Sequence, residues 1–366
     1  MAEVAGLTAA GFDVAVYSDD KRIIVDRQPI GVALLITPWN FPAAMATRKL
    51  APALAAGCTT VLKPARETPL TAAYMVEVLR RVGVPAGVVN LVTPVPTGPL
   101  VAKMINRPEV RKLSFTGSTE VGRDLLHACA DTVVSASMEL GGNAPLIVLP
   151  GADMDVTVEG ALLAKMRNGG AACTAANRIY VHSSRHDEFV ERMTAELAAL
   201  SVGPGLGRSR QVGALVSVAE RDKVAELVDG AVEEGARLVH GGKSAEHGAF
   251  YDATLLTGVR HGSRISSTEI FGPVVAVVRY DDVDEAVRMA NDTVHGLMAY
   301  VFGEEREAMA VARRLEAGMV AINRGVVSDP AAPFGGVKQS GLGREGGFDG
   351  ILGLLEEKYI ALDAHP

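Results

Sequence analysis

The sequence predicts an α/β protein made of two doubly wound α/β domains, with a small β hairpin ahead of them. Three observations predict it. Short apolar, β-branched runs alternate with amphipathic helical patterns over most of the 366 residues. Those runs are apolar throughout rather than at every second position, as in parallel strands covered by helices on both faces. The 39 glycines gather in motifs at the ends of the runs rather than in linkers.

Taken in order, "FDVAVYSDDKRIIVDRQ" (12–28) reads as an antiparallel hairpin. "IGVALLIT" (30–37) is a buried strand and "AMATRKLAPALAAG" (44–57) a helix closed by Gly57. "TTVLKP" (59–64) is the next strand. "TPLTAAYMVEVLRRVG" (68–83) follows as a helix with Thr68 at its N-cap and Gly83 at its C-cap. "GVVNLVT" (87–93) and "KLSFTG" (112–117) are strands. The rhythm resumes at "RIYVH" (178–182), a strand before helices at 185–200 and 220–235. "PVVAVVRY" (273–280), a helix at 282–292, "AYVF" (299–302) and a helix at 306–318 complete it, and "KYIAL" (358–362) is a last extended segment. The boundary between the domains falls near Glu139–Pro145. No internal repeat or low-complexity linker marks it.

With 48% apolar and 22% charged residues, the composition is that of a globular protein rather than a disordered or fibrous one. A net charge of −7 argues against a general nucleic-acid or acidic-membrane binder. No apolar run reaches the roughly 18–20 residues of a membrane span, and no secretory leader pattern opens the chain. Cysteines stand at 58, 129 and 173 only, with no CxxC pair, so a reducing cytoplasm is expected and no metal site is.

The chemistry-bearing motifs sit at strand ends. "SFTGSTEVG" (114–122) puts a glycine turn between a strand and a helix, where backbone N–H groups favour a phosphate. It lacks the lysine of a Walker loop and the spacing of the common dinucleotide fingerprint, so a plain strand–turn–helix junction is an equal reading. "MELGG" (138–142) sets Glu139 among apolar residues, where desolvation would tune a general base; a surface glutamate is the alternative. "ITPWNFP" (36–42) holds Asn40 just past a strand's C-terminal end, where a rigid amide could serve an oxyanion or merely cap a turn. Lys63 in "VLKPARETP" is a phosphate or ribose contact, or a solvated lysine. Cys173 in "KMRNGGAACTAANR" has no histidine nearby, and its neighbours alone leave nucleophile and spectator equally open. Cys58 and Cys129 read as packing residues.

Together and in this order, "PWNFP", "KPARETP", "FTGST", "MELGG", the Asn-x-Gly-x-x-Cys segment 168–173, "EIFGPV" (269–274) and "PFGGVKQSGLGRE" (333–345) closely resemble the aldehyde dehydrogenase superfamily. The resemblance runs from about Lys21 to the C-terminus. It implies an oligomerisation hairpin at 12–29, a Rossmann-like cofactor domain at 30–140, a catalytic domain at 141–335, and a tail with an oligomerisation strand at 336–366. It further implies an NAD(P)-dependent enzyme in which Cys173 attacks the aldehyde. Asn40 and the Cys173 backbone N–H would hold the oxyanion, each donor worth on the order of 3 kcal/mol, and Glu139 would activate water. Lys63 would contact the adenosine ribose, Gly117 and Ser118 the pyrophosphate, and Glu269 and Phe271 the nicotinamide ribose and ring. Thr37, Pro38, Trp39, Ala65, Arg66, Phe115, Val121, Leu140 and Gly141 would complete the cofactor groove.

Within the superfamily the chain most resembles the succinate-semialdehyde dehydrogenases. Arg48, Arg167 and Ser328 coincide with the residues that hold the substrate's distal carboxylate there, and a guanidinium fork suits a carboxylate. Glutarate semialdehyde, a general aldehyde, and an impaired nucleotide-binding remnant are the alternatives. Arg66, where NAD-preferring relatives often carry glutamate, favours NADP over NAD. The resemblance implies a homodimer or homotetramer acting on a small aldehyde, with no nucleic-acid or membrane partner.

Two departures from the family pattern stand out. Relatives usually carry roughly a hundred further residues ahead of the hairpin, so exposed apolar surface is expected on the cofactor domain. Ala171 replaces the family's glutamine before the nucleophile, which removes an amide from that loop. Ala175 stands where some relatives have a second cysteine, so a redox disulfide is not expected.

Overall fold

The computed structural model describes residues 12–14, 21–206 and 210–363, and the chain divides into two compact units. The first runs to Glu139 and takes back Asp329–Gly335 and the chain from Leu342 onward. The second is Leu140–Ser328 with Gly336–Gly341. The chain beyond 336, read from the sequence as one tail, is thus shared. Val337–Lys338 pairs with His295–Gly296 in the second unit, whereas Leu355–Asp363 pairs with Lys21–Pro29 in the first.

In the first unit the strands Ser135–Glu139, Val110–Thr116, Val32–Ile36, Thr59–Lys63 and Val89–Leu91 lie side by side in that order, all parallel. Leu34, Leu35, Leu62 and Leu113 have no exposure, as expected of parallel strands covered on both faces. The chain starts at the central strand, moves outward to one side, then returns to build the other. Ile36 and Phe115 are therefore neighbours at the point where the winding reverses, the place where open α/β sheets leave a crevice. Helix Pro42–Ala55 has Pro42 in its first turn, where its missing N–H costs nothing, and Gly57 at φ +81° ends it. Helix Pro69–Arg81 starts after Thr68, whose side chain makes no cap bond, and stops before Gly83 at φ +94°. Leu70, Tyr74 and Val82 stand exposed along it.

The hairpin strands Phe12–Val14 and Lys21–Pro29 are antiparallel, with Phe12 opposite Val25; the intervening turn lies outside the described residues. Leu355–Asp363 adds a third strand across nine paired positions, from Leu355 opposite Pro29 to Asp363 opposite Lys21.

The second unit is a seven-stranded sheet in the order Arg237–His240, Thr254–Thr257, Val274–Tyr280, Ala176–His182, Ala144–Val148, Met298–Phe302 and Met319–Ile322. Only the first pair is antiparallel. Ala144–Val148 and Met298–Phe302 are buried at every position. Helices Ser183–Ala199 and Val218–Glu233 bury Phe189, Met193 and Leu197, and Val224, Leu227 and Val228. Asp282 caps helix Val283–Asn291 by accepting from Glu285 N–H.

Candidate active site

In the first unit the residues marked by the motifs collect at the C-terminal strand ends. Thr37 follows Val32–Ile36 and donates its N–H to Lys63 O at 3.1 Å. Phe41 N–H donates to Asn40 Oδ1 at 3.1 Å, which fixes the end of that amide facing the backbone. Helix Thr119–Ala130 follows Gly117 directly. Ser118 caps it, its Oγ accepting from Val121 N–H at 3.4 Å. A Cβ at Gly117 would come 2.4 Å from the Phe115 ring, so only glycine lets the turn close over that side chain.

Lys63 ends the neighbouring strand. Burial lowers its pKa while Glu67 opposes the shift, and its ammonium has no hydrogen bond or ion pair among the described residues. A positive helix terminus at the reversal point and an ammonium at the end of the adjoining strand fit an anionic dinucleotide. Ala65 is buried beside them, whereas Val121 is exposed. Arg66 turns outward, 85% exposed, and pairs with Glu67 at 2.7 Å.

Glu139 ends strand Ser135–Glu139 with 4% exposure, and neither carboxylate oxygen has a hydrogen-bond partner among the described residues. Burial holds its carboxyl well above the usual range. The negative charge of Glu345 adds to this, against Lys49, Arg48 and Arg344. Lys49 Nζ lies 2.5 Å from Glu345 Oε1 and 2.8 Å from Ser114 Oγ, a buried ion pair. The Arg48 guanidinium stacks 4.1 Å over the Phe334 ring. Motif reading missed Lys49 and Glu345, although Glu345 stands inside a quoted motif and Lys49 inside a quoted helix.

In the second unit the functional loops gather at the opposite, N-terminal ends of the strands. Helix Met154–Met166, capped by Asp153, stops where Asn168, Gly169 and Gly170 take φ of 56°, 63° and 78°. Asparagine and glycine tolerate this left-handed run, and the chain turns sharply into Cys173. A Cβ at Gly170 would lie 2.1 Å from Gly272 O, and one at Gly142 2.3 Å from Cys173 O. The loop carrying Cys173 is therefore wedged between two other segments, with Cys173 half-buried and Ala171, Ala172 and Ala175 buried. Where the family's glutamine is absent, Asn168 Nδ2 donates to Ala171 O at 3.2 Å and closes the loop. Arg167 Nη2 reaches Thr174 Oγ1 at 3.4 Å, and Ser328 is exposed.

Glu269 Oε1 accepts the Gly142 N–H at 3.1 Å. Burial nevertheless pushes its carboxyl up to about 7, against that bond, Lys223 and Lys165. Phe271 follows with φ +55°.

Four residues to which the sequence motifs assign no role hold these loops, although Asn177, Arg178 and Ser340 stand inside quoted segments. Asn177 Nδ2 donates to Asn143 Oδ1 and to Thr268 O, both at 2.7 Å, and its Oδ1 accepts Ile270 N–H. Asn143 donates to Ser266 O. Buried Arg178 ties Asn143 O to Met289 O and Ala290 O at the end of a helix, where a cation is favoured. Ser340 Oγ donates to Gly141 O at 2.7 Å and accepts Gly296 N–H, fixing the buried Leu140–Gly141 segment. Among the described residues no cluster of His, Cys, Asp or Glu could hold a metal ion.

A doubly wound unit with a phosphate-attracting crevice, and a second unit presenting a rigidly held thiol, define an oxidoreductase of the α/β class. The aldehyde dehydrogenase family matches residues 2–360. Glutarate-semialdehyde dehydrogenase of Pseudomonas aeruginosa is 48% identical over 348 residues, 94% of this chain and 72% of that one. The NADP-dependent succinate-semialdehyde dehydrogenase of Escherichia coli has the same identity and coverage. Among solved structures, an NADP-dependent enzyme of E. coli superposes with a TM-score of 0.96 at 46% identity, covering 99% of this chain and 75% of that one. The chain belongs to the aldehyde dehydrogenase family.

Proposed function

We propose that the chain oxidises succinic semialdehyde to succinate with NADP through a thioester on Cys173. The observation that supports this is the tightly packed loop carrying Cys173, where Gly170 closes on Gly272 O and Gly142 on the Cys173 carbonyl.

The Cys173 thiolate adds to the aldehyde carbon, and the Asn40 amide and the Cys173 N–H donate to the resulting oxyanion. NADP, when bound, would supply the hydride acceptor, so that loss of hydride from this carbon turns the thiohemiacetal on Cys173 into a thioester. Glu139, buried and without hydrogen bonds from neighbouring protein groups, takes the proton of the water that attacks the thioester carbonyl. The C–S bond breaks, the acid leaves, and Cys173 returns as thiolate. Lys63, Thr37, Gly117 and Ser118 are the residues assigned to the dinucleotide, with Glu269 at the nicotinamide-side ribose.

Arg48, Arg167 and Ser328 are the assigned carboxylate clamp. A relative named for NADP supports that cofactor, with NAD the alternative. Arg66 does so less, because exposed ion pairs like its contact with Glu67 are weak and easily exchanged. Glutaric semialdehyde is the second substrate to test, because relatives named for both substrates are equally similar. Among the described residues no helix is long and apolar enough to cross a membrane; cytoplasmic location and a homodimer or homotetramer complete the proposal.

NADPH formation followed by absorbance tests it. Purified protein with succinic semialdehyde should turn over, and Cys173→Ser should remove nearly all activity. Arg48→Ala and Arg167→Ala should raise KM for the semialdehyde far more than for an uncharged aldehyde of similar length. Full activity in Cys173→Ser would sink the mechanism. Equal losses on both aldehydes would sink the clamp.

A further inference from the structure

Strand Met298–Phe302 is an interior strand of the second unit's sheet, paired on one side with Ala144–Val148 and on the other with Met319–Ile322. It is buried at every position, and Tyr300 alone among its residues carries a side-chain hydroxyl. Phenylalanine would fill that place without burying a polar atom, so the phenol oxygen needs a partner. It has one in the loop that carries the thiol: the hydroxyl donates to Thr174 O at 2.7 Å. Burial pushes the phenol above its ordinary range, against Arg167 and the bond to Thr174, so the group stays protonated and able to donate.

Thr174 directly follows Cys173, and the two form the centre of a tight turn closed by Ala175 N–H donating to Ala172 O at 2.9 Å. The carbonyls from Ala171 to Thr174 are each held. Asn168 Nδ2 donates to Ala171 O and Ala175 N–H to Ala172 O, while Gly142 lies so close to Cys173 O that a Cβ there would come within 2.3 Å. Asn168 and Ala175 belong to the loop itself, and Gly142 meets it by packing. The Tyr300 bond differs in kind, because it ties the turn to an interior strand.

We propose that Tyr300 is a positioning residue for the nucleophile: its hydroxyl, through Thr174 O, fixes where the turn holds the Cys173 sulfur and the Cys173 N–H. The proposal rests on the reading of Cys173 as the nucleophile. Addition to an aldehyde needs the sulfur and the oxyanion donors aligned together, and a misplacement of about 1 Å costs on the order of 10²-fold in rate. Without the phenol oxygen, Thr174 O loses this donor, and the turn settles toward another donor or water.

Tyr280 gives a comparison within the same sheet. It is as buried as Tyr300, at 2% exposure, and its hydroxyl donates to Val148 O at 3.0 Å. Tyr280 and Val148 end strands Val274–Tyr280 and Ala144–Val148, so they stand at the C-terminal strand ends, opposite the loops that gather around Cys173. A hydroxyl that served stability alone would behave alike at both places.

The test therefore compares wild type, Tyr300→Phe, Tyr280→Phe and Cys173→Ser. NADPH formation in a single turnover with succinic semialdehyde reads the chemical step. Iodoacetamide labelling of Cys173, followed by peptide mass, reads the thiol, since Cys58 and Cys129 are buried. Tyr300→Phe should slow the single turnover about tenfold or more, with NADP binding and KM within about twofold of wild type. Its Cys173 should label at the wild-type rate, because alkylation needs a reachable thiolate and no oxyanion donor. Both tyrosine variants should lower the melting temperature to a similar degree, each leaving one buried carbonyl without its donor, but Tyr280→Phe should keep the wild-type single-turnover rate.

A single turnover in Tyr300→Phe that matches wild type, or is slowed no more than in Tyr280→Phe, would overturn the inference while leaving the nucleophile in place. So would a loss of Cys173 labelling in step with turnover, since the hydroxyl would then govern the thiol's ionisation or access rather than its place. Turnover by Cys173→Ser at the wild-type rate would overturn the nucleophile reading, and the inference with it.

Discussion

Glu139 and Glu269 are both buried carboxylates, yet their settings differ in what can be done to them. Glu269 has a backbone donor, the Gly142 N–H, whereas Glu139 has none and faces the Lys49–Glu345 pair instead. A base works only when ionised, so turnover limited by Glu139 rises as pH climbs through its raised pKa. Glu345→Gln removes the negative charge that helps hold that pKa up, and it leaves the Lys49 charge uncompensated. Both effects lower the Glu139 pKa. The acid limb of the kcat–pH profile should therefore move to lower pH, while the amide of the variant still offers Lys49 an acceptor oxygen. A limb that stays put or moves to higher pH would contradict the coupling. At this scale, motifs marked Cys173, Glu139 and Glu269, but not the residues that hold them. Lys49 and Glu345 are 296 positions apart, and Ser340 and Gly141 199. Such partners carry no local spacing to read.

Among the elements, legibility followed periodicity. Helix Ser183–Ala199 buries His186, Phe189, Val190, Met193 and Leu197 on one stripe and stands out in the sequence. Helix Met154–Met166 does not, because its buried face includes Thr157, Gly160 and Lys165. Gly160 is there for the Phe302 ring, which a Cβ would approach to 2.5 Å. Strand Ser135–Glu139, with the sequence SASME, lacks a continuous apolar run and was equally hard to see. The turn into Cys173 is the element on which the proposed chemistry depends most. Gly170→Ala would force a side chain to φ +78° and to within 2.1 Å of Gly272 O. The loop must shift, and displacements near 1 Å can cost on the order of 10²-fold in rate. We expect kcat to fall by that order while NADP binding changes little. An active Gly170→Ala enzyme would show that the wedge does not position the thiol.

For the whole molecule, alternation of strands and helices announced two α/β units, but the path by which the chain returns to the first was not legible. "KYIAL" reads as extended, yet nothing local says that Leu355–Asp363 pairs with Lys21–Pro29, since that register depends on a partner more than three hundred residues away. The resulting three-stranded sheet ends on a nine-residue edge whose Tyr359, Ile360 and Leu362 are 64%, 37% and 38% exposed. A long apolar edge with unpaired backbone groups is a template for another strand, and isolated proteins usually blunt such edges with charge. Glu356 and Glu357 are already paired with Arg111 and Arg27, so part of the charge near the start of this strand is compensated within the subunit. The proposed homo-oligomer therefore has a natural seam here. Tyr359→Lys combined with Ile360→Lys places a charge on each face of the strand without touching either ion pair. Light scattering coupled to gel filtration should show the wild type as a dimer or tetramer and the double variant as a smaller species. The melting temperature should be unchanged under dilute conditions, where assembly adds little. An unaltered mass for the double variant would place the assembly surface elsewhere on the molecule.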